Sequence, residues 1–213
     1  MPLFSIITIC KNPSYEIIKT INSVIQQSFK DYEYIIIDGK STDGTSEYLE
    51  NLKKKKIIDK IFIEKDDGIY HAINKALSIA KGDYVGLVHA GDTYEKDVFL
   101  ELAPYMDGIN DVIYGSGYIS NNFSKTFIPI KNDAHKKLDK RMSILHPSTF
   151  IKRSVYNKLN YYSTDYKIAG DFDFLNKTYN KEFIFKHVNF SFSTMLFGGI
   201  SSQLKHIPLM AKE

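Results

Sequence analysis

Acidic side chains in this chain follow directly on apolar runs, where a folded α/β protein would place ligand-binding groups. Asp38 ends the run Ile35–Ile37, and the turn Gly39–Thr45 carries a second acid, Asp43. An apolar run, a carboxylate and a turn rich in Gly, Ser and Thr are typical of a buried strand, a loop and a helix start. Ligands bind at the carboxyl ends of strands in open α/β sheets. The two acids therefore predict a ligand site, with a nucleotide as the first hypothesis.

Three further apolar runs end in polar residues in the same way. Phe4–Cys10, Lys60–Lys65 and Tyr84–His89 each predict a strand. Because the carboxyl ends of parallel strands meet at one edge of a sheet, four such ends predict a single binding cleft. The polar residues at these ends are Lys11, Asn12, Asp38, Asp66, Asp67 and Asp92.

Helical patterns separate the predicted strands. Apolar residues recur at helical spacing over Ile17–Ile25, after Thr45 and over Ile69–Ala80. Strands that alternate with helices predict an α/β fold, a Rossmann-like, mostly parallel sheet flanked by helices.

The alternation changes after Asp92. Helices are predicted near 95–106 and over 171–179, a polar segment over 132–141, and short strands at 111–114, 118–120, 125–130, 148–152 and 183–192. No linker-like stretch separates the two parts. We therefore expect a single domain over residues 1–213, with a nucleotide-binding half (1–98) and an acceptor-side, catalytic half (99–213).

The composition is that of an ordinary globular protein, with 43% hydrophobic residues, 25% charged residues and a net charge of +3. Nothing in this balance requires nucleic acid as a partner. The single cysteine, Cys10, excludes an internal disulfide and favours a reducing compartment. No apolar window reaches the roughly 18 residues of a membrane span, so we expect a cytoplasmic protein. The run Lys53–Lys56 favours a solvated helix end; the alternative is contact with anionic lipid at the inner face of the cell membrane.

Several common nucleotide and hydrolase motifs are missing from the sequence. There is no GxxxxGK[ST] phosphate loop, and Lys11–Pro13 stands where a GxGxxG turn would follow the first strand. There is also no Ser-centred nucleophile elbow and no HExxH. These absences disfavour P-loop enzymes, dinucleotide-binding enzymes, serine hydrolases and zinc proteases.

The acids at the strand ends belong to longer motifs. These motifs are Phe4–Asn12, Thr20–Ser28, Ile37–Thr45, Glu64–Tyr70, Ala72–Ala76 and Gly82–Tyr84. Together they resemble the family 2 glycosyltransferases of the GT-A fold, and they are most similar to the colanic-acid and capsule-type bacterial enzymes. The resemblance is dense over residues 4–98 and resumes at 146–150, 168–173 and 198–201.

The resemblance implies a metal-dependent hexosyltransferase that moves a sugar, with inversion, from a nucleotide-sugar donor to an acceptor hydroxyl. We expect a UDP-linked donor, and a surface polysaccharide or lipid-linked glycan as the acceptor. A carboxylate accepts hydrogen bonds from a uracil N–H or from ribose hydroxyls, which suits Asp38 and Asp67 to the base and ribose. The expected donor contacts are Lys11, Asn12, Asp38, Asp66, Asp67, Asn74 and Lys75.

The family's Asp-x-Asp motif falls on Ala90–Asp92 and lacks its first acid. The leaving diphosphate needs its charge neutralised, usually by Mn²⁺ or Mg²⁺ on oxygen ligands. The resemblance makes Asp92 the expected metal ligand, with His146 as a second ligand or a diphosphate contact. A loop or helix-cap role for Asp92 and a structural role for His146 are the alternatives. His89 ranks lower, because strand alternation would turn it away from the side of Asp92.

Inversion needs a general base on the opposite face of the sugar, within hydrogen-bond reach of the attacking hydroxyl. The resemblance assigns this role to Asp171, with Asp173 as the reserve. The alternative is an N-cap aspartate on a helix over Phe172–Tyr179, worth about 1 kcal/mol and compatible with catalysis. We expect the helix N-terminus to lower the pKa of Asp171 and so to keep it ionised.

Other features leave alternatives open. His71 stands where relatives often carry an acid, and Gly198–Ser201 predicts either a loop that closes over the donor or a plain turn. The incomplete Asp-x-Asp motif allows a non-catalytic nucleotide-sugar-binding relative. A sugar nucleotidyltransferase is disfavoured, because Lys11–Pro13 is not a Gly- and Arg-rich loop. No pattern indicates the oligomeric state.

Overall fold

The computed structural model describes residues 1–58, 60–121, 123–198 and 213. The strands in these residues are β1 (Phe4–Cys10), β2 (Tyr32–Asp38), β3 (Lys60–Ile63), β4 (Tyr84–Leu87), β5 (Thr93–Tyr94), β6 (Val112–Ser120), β7 (Lys125–Ile128), β8 (Thr149–Lys152) and β9 (Phe185–Leu196). The α-helices are α1 (Glu16–Ile25), α2 (Thr45–Lys54), α3 (Ile69–Ile79), α4 (Val98–Leu102), α5 (Arg153–Leu159) and α6 (Gly170–Asn180). Short 3₁₀ helices cover Ala103–Tyr105, Ala134–Lys137 and His146–Ser148.

The first half of the chain forms the predicted parallel sheet. Its strands lie in the order β3-β2-β1-β4, and each pairs in parallel with its neighbour. All residues of β1 and the last five of β2 are buried, because helices cover both faces of these strands. This double burial explains the continuous apolar runs that mark the strands in the sequence.

Successive side chains of the central strands enter two separate cores. Ile6 of β1 packs in the core that contains Ile17 of α1, whereas its neighbour Ile7 packs in the core that contains Ile73 of α3. The sheet therefore lies between two helical layers. None of the helices in the described ranges is long and apolar enough to cross a bilayer.

The second half continues the same sheet with mixed strand directions. β8 is antiparallel to β4, and β6 is antiparallel to β8 and parallel to β9. The short strand β5 pairs antiparallel with β9, and β7 forms a hairpin with β6. The α/β fold class is confirmed, with a curled, mostly parallel sheet flanked by helices.

Two differences from the sequence prediction lie in the second half. The strands predicted at 111–114 and 118–120 are one strand, β6, whose register with β9 shifts between Tyr114 and Gly117. A Cβ atom at Gly115 would lie 2.5 Å from the Phe192 ring, so glycine lets that ring reach the sheet. These glycines interrupt the apolar pattern without ending the strand. Helix α5 was not predicted.

Candidate active site

The ends of the parallel strands lie side by side. Cys10 at the end of β1 is paired with Asp38 of β2, and Asp38 is paired in turn with Ile63 of β3. The chain continues past β4 alongside β1, where the Ala90 N–H donates to the Ile9 carbonyl at 3.4 Å. The loops that follow these strands therefore form one polar edge of the sheet, on which lie Lys11, Asn12, Asp38, Asp66, Asp67 and Asp92.

The loops after β1 and β2 are joined by hydrogen bonds. The Asn12 N–H donates to Ser41 Oγ at 2.8 Å, and Asn12 Oδ1 accepts from the Thr42 N–H at 2.7 Å. The Ser14 N–H donates to the Asp43 carboxylate at 2.6 Å. Asn12 has a left-handed backbone (φ 50°), which asparagine tolerates better than most residues. In this arrangement Asn12 holds the two loops together.

Asp38 lies inside this loop pair. Its side chain is 0% exposed, and its two oxygens accept from the Ser41 N–H, from Ser41 Oγ at 2.5 Å and from Ser46 Oγ at 2.5 Å. The Cys10 thiol lies 3.6 Å from Oδ1. Asp38 therefore fixes the loop between β2 and α2, and its contact with base and ribose stays a prediction. Lys11 is exposed on the same edge.

Asp66 lies in the loop after β3, at the centre of a charged group. Its Oδ1 accepts from Lys75 Nζ at 2.8 Å, and Lys75 also pairs with Glu64 at 3.0 Å. His71 Nδ1 lies 3.5 Å from the same oxygen. The Asp66 side chain is only 7% exposed, and its other oxygen, Oδ2, has no hydrogen-bond partner within the described residues. The neighbouring Asp67 is exposed.

Asn74 faces the second half of the chain. Its side-chain N–H donates to the Tyr162 carbonyl at 2.8 Å, and its Oδ1 accepts from the Tyr162 N–H at 3.0 Å. Both ends of the amide are thereby used to join α3 to the segment between α5 and α6. The donor contact predicted for Asn74 stays a prediction.

Asp92 lies in the turn after β4. Its Oδ1 accepts from the Leu196 N–H at 2.9 Å, and its backbone carbonyl accepts from Thr20 Oγ1 at 2.7 Å. The next helix, α4, has Asp97 as its N-cap, so the alternative of a helix cap at Asp92 is wrong. Burial raises the pKa of Asp92 to about 7. A carboxyl group with this pKa changes charge near neutral pH.

Two histidines are stacked beside this turn. The rings of His89 and His146 lie 6.1 Å apart at 25°, and His146 Nε2 lies 3.0 Å from the Tyr162 hydroxyl. Burial lowers the pKa of each ring to about 4, so both are neutral at pH 7. His89 Nδ1 is buried without a hydrogen-bond partner in the described ranges. The expectation that strand alternation turns His89 away does not hold, because β4 ends at Leu87.

Asp171 is the second residue of α6. The N-cap is Ala169, so the N-cap alternative for Asp171 is wrong; its Oδ1 accepts from the Phe172 N–H at 2.8 Å. Burial raises the pKa of Asp171, which contradicts the expected lowering by the helix N-terminus. The His89 ring lowers the pKa of Asp171, and the Asp171 carboxylate raises that of His89, each against the larger effect of burial. The reserve candidate, Asp173, pairs instead with Lys177 at 2.7 Å.

We call the group His89, Asp92, His146 and Asp171 the acid–histidine cluster. In the described part of the chain, no three His, Cys, Asp or Glu side chains come close enough together to hold a metal ion by themselves. Asp92 nevertheless suits a metal that substrate also binds, because Oδ2 of its carboxylate makes no hydrogen bond within the described residues. Mg²⁺ is usually held in this way, by one or two carboxylates and the phosphates of a substrate. His146 has only Nδ1 left for such a role, since Nε2 contacts Tyr162.

Tyr70 and Tyr162 belong to the surroundings of the cluster, and the sequence interpretation gave neither a role. Tyr70 falls inside a motif of the family resemblance, but nothing local indicates that it contacts residues about 100 positions later. The predicted loop at Gly198–Ser201 lies, after Gly198, outside the described residues.

A cavity of about 420 Å³ lies away from this edge, at the start of β4, where Asp83, Lys152 and Arg153 line it. It includes none of the predicted site residues. The chemistry-bearing groups are on the opposite end of the strands, so this cavity is not the candidate site.

The fold and the site define an α/β protein with acids gathered at the carboxyl edge of a parallel sheet, the usual place for a nucleotide ligand. Residues 5–182 match the family model Glycosyl transferase family 2. The chain therefore belongs to glycosyltransferase family 2.

Individual relatives agree with this assignment. The chain is 27% identical over 230 residues to a PGL/p-HBAD biosynthesis glycosyltransferase of Mycobacterium bovis, covering 99% of this chain and 86% of the relative. It is 39% identical over 106 residues to a putative teichuronic acid biosynthesis glycosyltransferase, TuaG, of Bacillus subtilis, covering 49% of this chain and 42% of TuaG. A crystal structure of S. aureus TarS 1-349 with UDP-GlcNAc matches with a TM-score of 0.76 at 21% identity, over 91% of this chain and 58% of TarS 1-349. This last likeness shows the shared fold.

Proposed function

We propose that this glycosyltransferase moves a hexose from a UDP-sugar to an acceptor hydroxyl and inverts the sugar's anomeric configuration. The observation that carries the proposal is that, in a family 2 chain, Asp92 lies in the turn after β4 and Asp171 is held by Tyr70, which follows the loop after β3. Buried acids with raised pKa values are typical of functional sites.

The donor nucleotide binds along the loops after β1, β2 and β3. Asp66 supports this placement, because its Oδ2 is buried and has no partner within the described residues, and a donor N–H or hydroxyl would satisfy it. The exposed side chains Lys11 and Asp67 can reach a ligand on the same edge. Lys75 holds Asp66 in place through its ion pair. UDP is the nucleotide in the complex of TarS.

Asp92 would hold Mn²⁺ or Mg²⁺ together with the donor's diphosphate, and such an ion would supply the positive charge that the leaving group needs. One carboxylate oxygen of Asp92 is fixed by the Leu196 N–H, which orients the other. His146 would contribute as a second ligand or as a diphosphate contact through Nδ1, since its Nε2 contacts Tyr162. Both roles keep the neutral imidazole that burial imposes.

Asp171 is the general base. It accepts the proton of the acceptor hydroxyl while that oxygen attacks the anomeric carbon and the bond to the diphosphate breaks on the opposite face. A base works best when its pKa lies near the working pH, and burial moves Asp171 in that direction. Its position in the first turn of α6, with Oδ1 bound to the Phe172 N–H, keeps the carboxylate in one orientation.

The acceptor is a surface polysaccharide or a lipid-linked glycan. The names of two relatives support this class, since one acts in teichuronic acid biosynthesis and the other in PGL/p-HBAD biosynthesis. A lipid-linked acceptor would bring the protein to the inner face of the cell membrane, with the nucleotide donor supplied from the cytoplasm.

A second candidate is a relative that binds nucleotide sugars without transferring them. The incomplete Asp-x-Asp motif and the lack of a metal cluster built by the described residues alone favour it. It differs from the first proposal only in the chemical step, so binding and turnover have to be measured separately.

The decisive experiment screens UDP-, GDP- and dTDP-sugars by thermal shift with and without Mn²⁺, and then measures nucleotide release from the best donor. We expect a UDP-sugar to raise the melting temperature and to release UDP slowly to water when Mn²⁺ is present. Asp92→Asn should lose the stimulation by Mn²⁺. Binding of the donor without any release of UDP, with metal present and with a panel of acceptor glycans, would support the non-catalytic alternative instead.

A further inference from the structure

Tyr70 joins the donor side of the molecule to the candidate base. It is the second residue of α3, in the first turn after the loop that carries Asp66 and Asp67. Its side chain is 5% exposed. Its hydroxyl donates to the Ile168 carbonyl at 2.5 Å and accepts from the Asp171 N–H at 3.2 Å. One hydroxyl group thereby binds both Ile168, in the segment before α6, and the backbone of Asp171, the candidate base.

The packing around Tyr70 is specific to this contact. A Cβ atom at Gly170 would lie 2.7 Å from Tyr70 Cζ, so only glycine at this position lets the ring lie against the start of α6. The other side of the ring stacks on Tyr162, with centroids 5.6 Å apart and an angle of 23°. One turn later on α3, Asn74 holds the backbone of Tyr162. The helix therefore contacts the second half of the chain at two points.

The orientation of the Asp171 carboxylate follows from the backbone that Tyr70 holds. Its Oδ1 accepts from the Phe172 N–H, so any rotation of the first turn of α6 would move the carboxylate with it. The Tyr70 hydroxyl and the His89 ring both lower the pKa of Asp171, against the larger rise caused by burial. Loss of the hydroxyl would leave the Ile168 carbonyl and the Asp171 N–H without this partner.

We propose that Tyr70 is a positioning residue, which fixes the carboxylate of Asp171 relative to the donor loop at the start of α3. This inference rests on the proposed role of Asp171 as the general base. In this role Tyr70 acts through Asp171. Its effect is to place the base at the distance and angle that proton transfer from the acceptor hydroxyl requires, and a misplacement of about 1 Å can reduce a rate about 100-fold.

The chain offers a matched control at Tyr84. This tyrosine is 1% exposed, and its hydroxyl donates to the Asn110 carbonyl at 2.7 Å and accepts from the Gly108 N–H at 3.2 Å. The Tyr84 hydroxyl has the same two kinds of partner as that of Tyr70. Tyr84, however, is the first residue of β4, at the end of the strand away from the candidate site. Tyr70→Phe and Tyr84→Phe each remove one hydroxyl with the same two kinds of partner, so a general loss of stability would affect both variants alike.

The test compares these two variants with wild type and Asp171→Asn, using UDP-GlcNAc and Mn²⁺ and measuring UDP release. We expect Tyr70→Phe to lower kcat roughly 10- to 100-fold while the KM for the donor changes less than about twofold. Tyr84→Phe should keep the wild-type kcat. Wild-type kcat in Tyr70→Phe, or equal losses in both tyrosine variants, would overturn the proposal.

A second measurement does not depend on turnover. In protein labelled with ¹³C at the aspartate carboxyl carbons, the Asp171 signal is the one missing from Asp171→Asn. We expect its titration midpoint to move to higher pH in Tyr70→Phe and to stay unchanged in Tyr84→Phe; no movement in Tyr70→Phe would contradict the proposal. If Asp171→Asn releases UDP as fast as wild type, the base assignment fails first and this inference fails with it. An inactive Asp171→Asn beside a fully active Tyr70→Phe would overturn the inference alone.

Discussion

Two polar regions of the molecule differ in how their side chains are hydrogen-bonded. One is the loop pair after β1 and β2, and the other is the acid–histidine cluster. The carboxylate of Asp38 accepts several hydrogen bonds, and the exposed Asp43 accepts two from backbone N–H groups. In the cluster, His89 Nδ1 has no partner within the described residues, and Asp92 and Asp171 have raised pKa values. The carboxylates of the loop pair are thus hydrogen-bonded within the chain, whereas His89 in the cluster keeps a buried nitrogen without a partner in the described residues.

From this difference we expect Asp38 to act mainly in structure. Buried polar groups are nearly always hydrogen-bonded, so a satisfied carboxylate such as Asp38 needs no ligand to explain it. A buried group without a partner costs about 1–3 kcal/mol, and such groups persist where function requires them. By this criterion Asp66 belongs with the cluster, although it follows a strand end like that of Asp38.

The largest expected effect comes from the base. Asp171→Asn keeps the size of the side chain and an oxygen that can accept from the Phe172 N–H, but it cannot take a proton from the acceptor. General acid–base catalysis contributes about 10²- to 10⁴-fold, so we expect UDP-sugar turnover to fall by that factor while UDP affinity stays unchanged. Steady-state release of UDP and calorimetric UDP binding test the two halves of this prediction.

Asp173→Asn is the matched control, two residues further along the same helix. Asp173 pairs with Lys177 on the surface of α6, and an exposed pair of this kind contributes less than about 1 kcal/mol. Its loss should leave turnover near the wild-type rate. Full activity in Asp171→Asn together with an inactive Asp173→Asn would mean that Asp173, and not Asp171, is the general base.

The next largest effect is a loss of UDP binding on substitution of Asp66. If the buried Oδ2 accepts a hydrogen bond from the donor, Asp66→Asn should weaken UDP binding about 10- to 100-fold, because bonds to a charged group contribute about 1.5–3 kcal/mol. Glu64→Gln is the control, since Glu64 shares the Lys75 ion pair but is 47% exposed. Equal losses in the two variants would mean that the ion pair, and not the free oxygen, supports binding.

Substitution of Asp38 should lower the stability of the fold, whereas substitution of Asp66 should lower the affinity for UDP. Asp38→Ala leaves the Ser41 N–H and the hydroxyls of Ser41 and Ser46 without their acceptor in a buried place. We expect a loss of about 2 kcal/mol in the free energy of unfolding, measured by urea titration. Asp67→Ala, at an exposed position, should change it by less than about 0.5 kcal/mol. A stable Asp38→Ala variant that cannot bind UDP would support the direct donor contact predicted for Asp38 from the sequence.

The sequence predicts the first half of the fold well because its strands are buried on both faces. Such strands produce continuous apolar runs, as in Ile35–Ile37, and these are hard to mistake. The second half mixes short antiparallel strands with glycines at close contacts. The single strand β6 therefore produced two separate predictions, and the seven-residue helix α5 produced none.

The site is only partly readable from the sequence, for a different reason. Strand ends and family motifs identify Asp92 and Asp171, but the contacts that set their chemistry come from distant segments. Tyr70 meets Asp171 across 101 positions, which no local pattern encodes. Local reasoning also gave the wrong direction for the pKa of Asp171, because it counted the helix N-terminus and could not count burial.

The smallest expected effect concerns pH, and it comes from opposing titrations within the cluster. His89 and His146 have pKa values of about 4 in the folded chain, below the ordinary value of about 6.5. As the pH falls from about 8 to about 6, both histidines bind protons in the unfolded chain but stay neutral in the folded chain. The two rings therefore each remove about 1 kcal/mol of stability over that range.

Asp92 acts with the opposite sign. Its folded pKa of about 7 lies above the ordinary value, so over the same fall in pH the folded chain gains a proton that the unfolded chain does not yet bind. This adds about 1 kcal/mol of stability and offsets much of the loss from the rings. In metal-free buffer, Asp92→Asn should therefore lose about 1 kcal/mol more stability than wild type between about pH 8 and about pH 6.

Urea unfolding of both proteins at the two pH values, with a chelator present, measures this difference. Adding His146→Gln to the Asp92→Asn variant should remove about half of its pH dependence, because one of the two rings is then gone. Parallel pH dependences in wild type and Asp92→Asn would mean that Asp92 already titrates like an ordinary carboxyl group. The contrast between the hydrogen-bonded carboxylates of the loop pair and the acid–histidine cluster would then rest on His89 and Asp171 alone.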